Sequence, residues 1–401
     1  SDVHVEPLPR GLRIRLRVDG VLHDVMTIPH GSRGAFVSRL KIVGGLDIAE
    51  RRRPQDGRTR IDLGDQKVDA RVSSLPSING EKVIVRLLAR SERTKSIDEL
   101  GLDERGLKAF RHVLAQPQGL VLITGPTGSG KTSTLFSAIG HIHDETRNIV
   151  TLEDPVEMQL PGLTQVQINE RAGLTFADGL RSVLRQDPDV VLVGEVRDTE
   201  TAELALRASL TGHLVLTTVH TNDAVSALTR FVDMGVAPYL VASSLSMVVA
   251  QRLVRTPCPR CAAPYEPSDD TLALLGMTRR QLEDATPRRG RGCRACGDTG
   301  YAGRRAVFEV VEVTPEMRRL LLSDPSEATL AAAARAGGTQ SLRAHALAVA
   351  AEGGTTYEEV LRVTDHGAGG RRCPSCDHSV TEDMVACPWC TAALDAGHCE
   401  Q

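Results

Sequence analysis

Aromatic residues are scarce: Phe, Tyr and Trp together make up 3% of the 401 residues, with one Trp in the whole chain. Any core must therefore be built mainly from Val, Leu, Ile and Ala. Long apolar runs are also missing. The nearest candidate, 236–254, is interrupted by Pro238, three serines and Gln251, so nothing matches the roughly 20 apolar residues that span a bilayer. The opening Ser1-Asp2-Val3-His4 carries no basic or apolar leader, so no signal peptide is expected. It carries no initiator Met either, so the chain is expected to start partway into a longer protein. A chain with these properties is expected in the cytoplasm with its thiols reduced. Eight of the nine cysteines fall into four Cys-x-x-Cys pairs, with Cys399 left over. In that setting paired cysteines point to zinc and not to disulfides.

What is present is a soluble, globular composition, 41% hydrophobic and 25% charged, in a chain long enough for two or three domains. The net charge of −3 is unevenly spread, because residues 1–95 hold 19 Lys+Arg against 12 Asp+Glu. A basic module can serve nucleic acid, but its only aromatic is Phe36, which leaves no platform for stacking bases. Arginines directed at nucleotide phosphates account for the excess as well.

Two patterns divide the chain. Residues 1–95 alternate short β-like runs with turns: strands at 13–18, 21–25, 67–72 and 82–88, a hairpin at Asp19-Gly20, and helical spacing over 36–48. From about 100 to 255 the pattern becomes strand, loop, helix. The runs 120–124, 149–152, 190–193 and 214–219 are continuously apolar, as suits parallel strands covered on both faces. Helices are expected at 176–185 and 199–210, and this is an α/β doubly wound sheet. A Cys-rich insert, a helical region over 315–363, a Gly-rich hinge at 367–370 and a Cys-rich tail follow.

The chemistry starts at Gly125-Pro126-Thr127-Gly128-Ser129-Gly130-Lys131-Thr132, a G-x-x-x-x-G-K-[ST] loop directly after the strand 120–124. Its glycines let backbone N–H groups wrap phosphates, Lys131 neutralises the β/γ oxygens, and Thr132 ligates Mg²⁺. ATP and Mg²⁺ are the cofactors this implies. Nucleotide hydrolysis also needs acids near the metal and the attacking water. The strand 190–193 ends in Gly194-Glu195, which places Glu195 at a strand's carboxyl end beside the loop. A second acidic strand end is Glu153-Asp154-Pro155-Val156-Glu157.

These stretches together resemble the ATPases of type II secretion and type IV pilus assembly. Residues 151–157, Thr-Leu-Glu-Asp-Pro-Val-Glu, resemble the family's Asp box. Residues 184–198, Leu-Arg-Gln-Asp-Pro-Asp-Val-Val-Leu-Val-Gly-Glu-Val-Arg-Asp, resemble its Walker B segment. Residues 211–222, Thr-Gly-His-Leu-Val-Leu-Thr-Thr-Val-His-Thr-Asn, resemble its His box. The likeness starts at Ser1-Asp-Val-His-Val-Glu-Pro7, continues through Arg53-Pro-Gln-Asp-Gly57 and covers about residues 1–365.

The resemblance implies a RecA-like P-loop domain over 96–365, preceded by a small α+β, PAS-like regulatory domain over 1–95, with ATP held between the two. It implies Glu195 as Walker B acid and Mg²⁺ ligand. Glu157 becomes the catalytic glutamate that polarises water, with Glu153 as its fallback. His220 is implied as the γ-phosphate sensor, with His213 behind it. Arg71 and Arg86 are implied as arginines supplied to the nucleotide, with Arg181 and Arg197 after them. Ser133 departs from a more usual Thr, one position past the metal ligand. The same resemblance implies a homo-hexamer that is cytoplasmic, held peripherally at the inner membrane by a platform protein, with no nucleic acid among its partners.

Cys258, Cys261, Cys293 and Cys296 form two pairs 31 residues apart, able to close a tetrahedral Zn²⁺ site. The assembly branch of the family carries such a tetracysteine insert, at about 256–300. Cys373, Cys376, Cys387 and Cys390 have compact zinc-ribbon spacing in a separate module, 371–401. The competing readings are a DNA-translocating or conjugative ATPase, which only the basic first module favours, and a nucleotide-binding scaffold that does no work.

Overall fold

The computed structural model describes residues 2–62, 64, 67–88 and 95–364. The Gly-rich hinge, the tail and its four cysteines lie outside the described residues. Two compact units divide the chain, Ser1–Arg93 and Thr94–Gln401.

In the first unit, β1 (Asp2–Leu8), β2 (Gly11–Val18), β3 (Val21–Pro29), α1 (Arg33–Val43), β4 (Gln55–Asp62), β5 (Lys67–Ser77) and β6 (Gly80–Leu88) follow in sequence. The described strands form one six-stranded antiparallel sheet ordered β3-β2-β1-β6-β5-β4. Alternation along the strands sends Val5, Leu12, Ile14, Ala70, Val72, Val83 and Val85 to one face, where they pack with Val37 of α1. The expected hairpin forms, with Asp19 at φ 47° and Gly20 at φ 85°, the left-handed pair that a two-residue turn requires.

The helix expected over 36–48 stops at Val43. A Cβ on Gly44 would lie 2.7 Å from that of Val72, and Gly45 turns the chain at φ 68°. Its buried positions are Val37 and Lys41, while Phe36 is exposed, so the apolar spacing misses the packed face by one residue. Lys41 is tolerated there because its ammonium donates to Glu81 Oε1 (2.7 Å) and to the Glu50 carbonyl (2.5 Å).

The second unit runs α2 (Glu104–Leu114), β7 (Gly119–Thr124), α3 (Lys131–Ile142), β8 (Ile149–Glu153), β9 (Thr164–Gln167), α4 (Phe176–Val183), β10 (Val190–Val193), α5 (Thr199–Leu210) and β11 (Leu214–Val219). It continues with α6 (Ala224–Asp233), α7 (Pro238–Ser244), β12 (Leu245–Pro257), β13 (Ala262–Pro264), α8 (Asp269–Leu275), β14 (Arg288–Gly290) and β15 (Tyr301–Glu312). The helices α9 (Pro315–Ser323), α10 (Glu327–Ala336), α11 (Leu342–Ala351) and α12 (Tyr357–Thr364) are the last described elements. Seven described strands form a sheet ordered β15-β12-β7-β11-β10-β8-β9, parallel except for β15. Successive residues face opposite layers. Leu120, Leu122, Val191 and Val215 pack towards α4, α5 and α6, whereas Val121, Ile123, Leu192 and Leu216 pack towards α2 and α3. That two-sided burial is why these strands read as unbroken apolar runs.

The chain is thus a mixed α/β protein with the expected doubly wound sheet. Three strands of this sheet went unread, β9, β12 and β15, as did β1 and β4 of the first unit and the short pair β13 and β14. The run 236–254 contains most of β12, an inner strand, and β15 returns antiparallel beside it through Arg304, Arg305 and Glu309. Among the described residues no helix is long and apolar enough to cross a membrane.

The last helix is held to β12 by a buried carboxylate. Glu359, 2% exposed at its side chain, accepts from the Arg255 N–H (3.0 Å) and guanidinium (2.6 Å) and from Arg362 Nε and Nη2 (2.8 and 2.7 Å). Burial pushes this carboxyl up, but Arg362 and Arg255 more than reverse it and hold it at about 2. Because the folded pKa lies below the unfolded one, the stabilisation is complete above the ordinary carboxylate range and is lost as pH falls towards 2. Replacing Glu359→Gln is expected to cost about 3 kcal/mol at pH 7, since it leaves the half-buried Arg255 charge without its partner. Urea denaturation checks this, and the gap between variant and parent should narrow steadily below about pH 4. A gap that is absent or independent of pH contradicts the assignment.

Candidate functional site

The loop between β7 and α3 is shaped by what its glycines avoid. Gly125, Gly128 and Gly130 stand at φ 149°, 79° and 93°. A Cβ on Gly125 would lie 2.5 Å from the Gln251 carbonyl oxygen, and one on Gly130 would lie 2.8 Å from Gln251 Nε2. The loop therefore lies tightly on β12. Most helices in this unit begin with a side-chain cap, as Asp103, Thr175, Asp198, Asp223, Thr314, Ser326 and Ser341 show for α2, α4, α5, α6, α9, α10 and α11. By contrast the N-cap of α3 is Gly130, which offers no side chain. Its leading N–H groups are thus left for an external anion.

Lys131, the first residue of α3, bends back over the loop. Its ammonium donates to the carbonyls of Gly125 (2.7 Å) and Pro126 (3.2 Å) and lies 3.4 Å from His220 Nδ1. Burial lowers its pKa to about 8, opposed by Glu195 and reinforced by Arg252. His220 follows β11, and its Nε2 lies 3.6 Å from Glu195 Oε2 beyond β10. The Arg197 guanidinium caps the other oxygen of Glu195; this bond raises the Arg197 pKa. Since β7, β11 and β10 are consecutive in the sheet, Lys131, His220 and Glu195 meet at their carboxyl ends, where α/β sheets bind ligands.

The remaining expected residues divide. Thr132 stands half-buried in the first turn of α3 beside Lys131. Pro126 and Thr127 are part of the loop, and Ser129 is buried within it. Glu153 closes β8, is 5% exposed, and accepts from Thr151 Oγ1 (2.6 Å) and Gln165 Nε2 (3.0 Å). Glu157 stands exposed in the loop after β8. His213 does not join the site. It precedes β11 while His220 follows it, and six strand residues separate the two by about 20 Å. There its Nδ1 lies 2.9 Å from the Ala208 carbonyl, a contact that belongs to the turn after α5. Arg181 does not join it either, being held between Asp178 and Glu200 on α4 and α5. In the first unit Arg71 and Arg86 are direct cross-strand partners on β5 and β6, and Arg86 Nε donates to Asp2 Oδ1 (2.7 Å).

Three supporting contacts went unread. Thr124 Oγ1 receives the Thr221 N–H (2.9 Å) and lies 2.8 Å from Thr221 Oγ1, which pins the His220 loop to β7. Gln251 Oε1 accepts from Thr134 Oγ1 of α3 (2.7 Å). The buried Arg252 donates to the Asn222 carbonyl (2.6 Å). Gln251 was visible as a polar break in the apolar run 236–254; Arg252 and the partners of both were not.

At the far end of β12, Cys258, Cys261, Cys293 and Cys296 converge, all four sulfurs within 4.8 Å of one another. Individual separations are 4.0, 4.0 and 3.7 Å. A tetrahedron with metal–sulfur bonds of about 2.3 Å has edges of about 3.8 Å, so the cluster fits a four-thiolate metal and is too wide for disulfides. Tight turns set each pair, with the Cys261 and Cys296 N–H groups bonded to the Cys258 and Cys293 carbonyls (both 3.1 Å). Gly290 and Gly300 let the arms meet where a Cβ would be 1.9 Å from a carbonyl oxygen.

The sequence pattern described as Type II/IV secretion system protein matches residues 1–362. A Type II secretion system protein E of Pseudomonas aeruginosa is 48% identical over 364 residues, which are 91% of this chain and 72% of that one. A Type IV pilus assembly ATPase PilB of Thermus thermophilus is 46% identical over 364 residues, 91% of this chain and 41% of that one. Among solved structures, the ATPase DotB of Legionella pneumophila superimposes with a TM-score of 0.64 over 92% of each chain at 21% identity, a likeness of fold.

Proposed function

The chain belongs to the type II/IV secretion system protein family and is an ATPase of it, and we propose that it is the motor subunit whose ATP hydrolysis powers type II secretion or type IV pilus assembly. The observation that carries this reading is the meeting of Lys131, His220 and Glu195 beside an uncapped, glycine-built helix start.

In this reading the backbone N–H groups of residues 127–132 and the Lys131 ammonium hold the β- and γ-phosphates. Thr132 and Glu195 hold Mg²⁺, which supplies the charge that stabilises the transferring phosphoryl group. His220, poised between Lys131 and Glu195, answers to the γ-phosphate. Arg71, Arg86 and Arg197 add positive charge. Glu157 polarises the attacking water; its exposure keeps it available, whereas Glu153 is already committed to Thr151 and Gln165. The working form is a homo-hexamer at the cytoplasmic face of the inner membrane, acting on a platform protein. Zn²⁺ fills the four-thiolate cluster as a structural metal, and a second Zn²⁺ organises the tail at Cys373, Cys376, Cys387 and Cys390.

Glu157→Gln is expected to lower turnover at least about 100-fold while ATP affinity stays within about 3-fold, because the phosphate-holding groups remain. Lys131→Ala should instead weaken ATP binding by about 10- to 100-fold. Affinity of the parent should fall as pH rises past about 8, where Lys131 sheds its proton. Steady-state turnover and equilibrium ATP titration test both variants. Parental turnover in Glu157→Gln transfers the role to Glu153.

Metal analysis should find about two zinc ions per chain, reduced to one by deletion of residues 371–401 with ATPase activity retained. A single zinc in the full chain would exclude the tail site, and loss of ATPase activity on deletion would tie the tail to the motor.

A further inference from the structure

The parallel strands β8 and β9 are joined by residues 154–163, which carry Glu157 and form no helix or strand of their own. In the register of the pair Thr151 lies opposite Gln165. Alternation then puts Thr151, Glu153 and Gln165 on one face of the sheet, the face that Ile149 shares with α2 and α3.

The loop begins beside the candidate site. The Gly194 N–H donates to the Leu152 carbonyl (2.8 Å), so β8 ends level with the strand that leads to Glu195. The Arg197 guanidinium, held first by Glu195, also feels the Asp154 carboxylate at the loop's start. On its way back the loop passes His143 at the end of α3, where a Cβ on Gly162 would lie 2.6 Å from Nε2.

Met158, Leu160 and Leu163 pack, partly buried, against the core on that face. The polar contacts of the loop converge on Gln165, itself half-buried. Its Oε1 accepts the Leu160 N–H (2.7 Å), and its Nε2 donates to the Met158 carbonyl (3.0 Å) and to Glu153 Oε1 (3.0 Å). The same Glu153 oxygen accepts from Thr151 Oγ1 (2.6 Å). These partners fix which way round the amide stands. Reversed, its oxygen would face the Glu153 carboxylate and the Met158 carbonyl, and its NH₂ would face the Leu160 N–H. A bond to a carboxylate is stronger than one between neutral groups, so Glu153 is the fixed point from which the loop is held. Met158, tied by its carbonyl, directly follows Glu157.

We propose that Gln165 is a positioning residue for hydrolysis that acts through Glu157, by locking the loop 154–163 to the buried carboxylate of Glu153. This rests on the reading that Glu157 polarises the attacking water, and adds the residue that places it. The two acids then divide the work: Glu153 anchors the loop and Glu157 acts from it. Placement has leverage, because a shift of about 1 Å in a reacting group can cost about 100-fold in rate.

The test uses the full chain with Glu157→Gln, Gln165→Met and the two combined. Methionine keeps the unbranched length of the side chain and removes its three bonds. Gln165→Met should lower kcat about 10- to 100-fold, while ATP affinity in an equilibrium titration stays within about 3-fold. Added to Glu157→Gln it should cost less than about 2-fold more, since nothing is left for it to position. Hydrogen exchange without nucleotide reads the lock apart from catalysis. The Leu160 amide should exchange at least about 5-fold faster in Gln165→Met, while the amides of β10 and β11 keep parental rates. Should Gln165→Met fail to fold, Gln165→Asn, which holds the amide one carbon short, gives the same readings.

Parental kcat in Gln165→Met beside an impaired Glu157→Gln overturns the proposal and leaves the reading of Glu157 intact. A combined variant slowed by the full product of the two losses gives Gln165 a separate role and also overturns it. Parental kcat in Glu157→Gln removes the underlying reading and the proposal with it.

Discussion

The closeness of β12 to the loop between β7 and α3 is the constraint on which the candidate site depends. The Gln251 carbonyl and amide occupy the space that side chains at positions 125 and 130 would need, so only glycine allows the approach. With the loop pressed down, Thr134 reaches Gln251 and α3 is fixed in direction. The next residue of β12, Arg252, holds the segment after His220 by the Asn222 carbonyl, on the other side of β7. One strand therefore braces both parts of the site, the phosphate loop and the His220 segment. Lys131, 3.4 Å from His220, registers both placements.

The same strand carries the site's surroundings outward. Seven residues beyond Gln251, β12 has become Cys258 and the four-thiolate cluster, and in between Arg255 ties it to α12 through Glu359. Loss of the cluster would release the end of a strand whose middle shapes the phosphate loop. The four-cysteine module is thus continuous with the nucleotide loop's sheet through covalent backbone, and not merely appended to it.

Much of this was legible in the residues, for identifiable reasons. Parallel strands buried on both faces have no polar side, so β7, β8, β10 and β11 stood out as apolar blocks and placed Lys131, His220 and Glu195 at neighbouring strand ends. The Cys-x-x-Cys pairs were equally plain. What escaped was set by partners distant in sequence. The polar pair Gln251-Arg252 interrupted the apolar run 236–254 and hid the strand it serves. His213 and His220 share one motif, yet the strand between them carries them to opposite ends. The end of α1 was overrun because Gly44 stops the helix through its contact with Val72.

The central claim is that the Lys131, His220 and Glu195 meeting point is a nucleotide site. A structure determined with Mg²⁺ and a non-hydrolysable ATP analogue tests it most directly. The account predicts that Lys131 leaves the Gly125 and Pro126 carbonyls for the β- and γ-phosphate oxygens, with the metal held by Thr132 and Glu195. An analogue bound elsewhere, or Lys131 still folded onto its own loop with the phosphates out of reach, would contradict it.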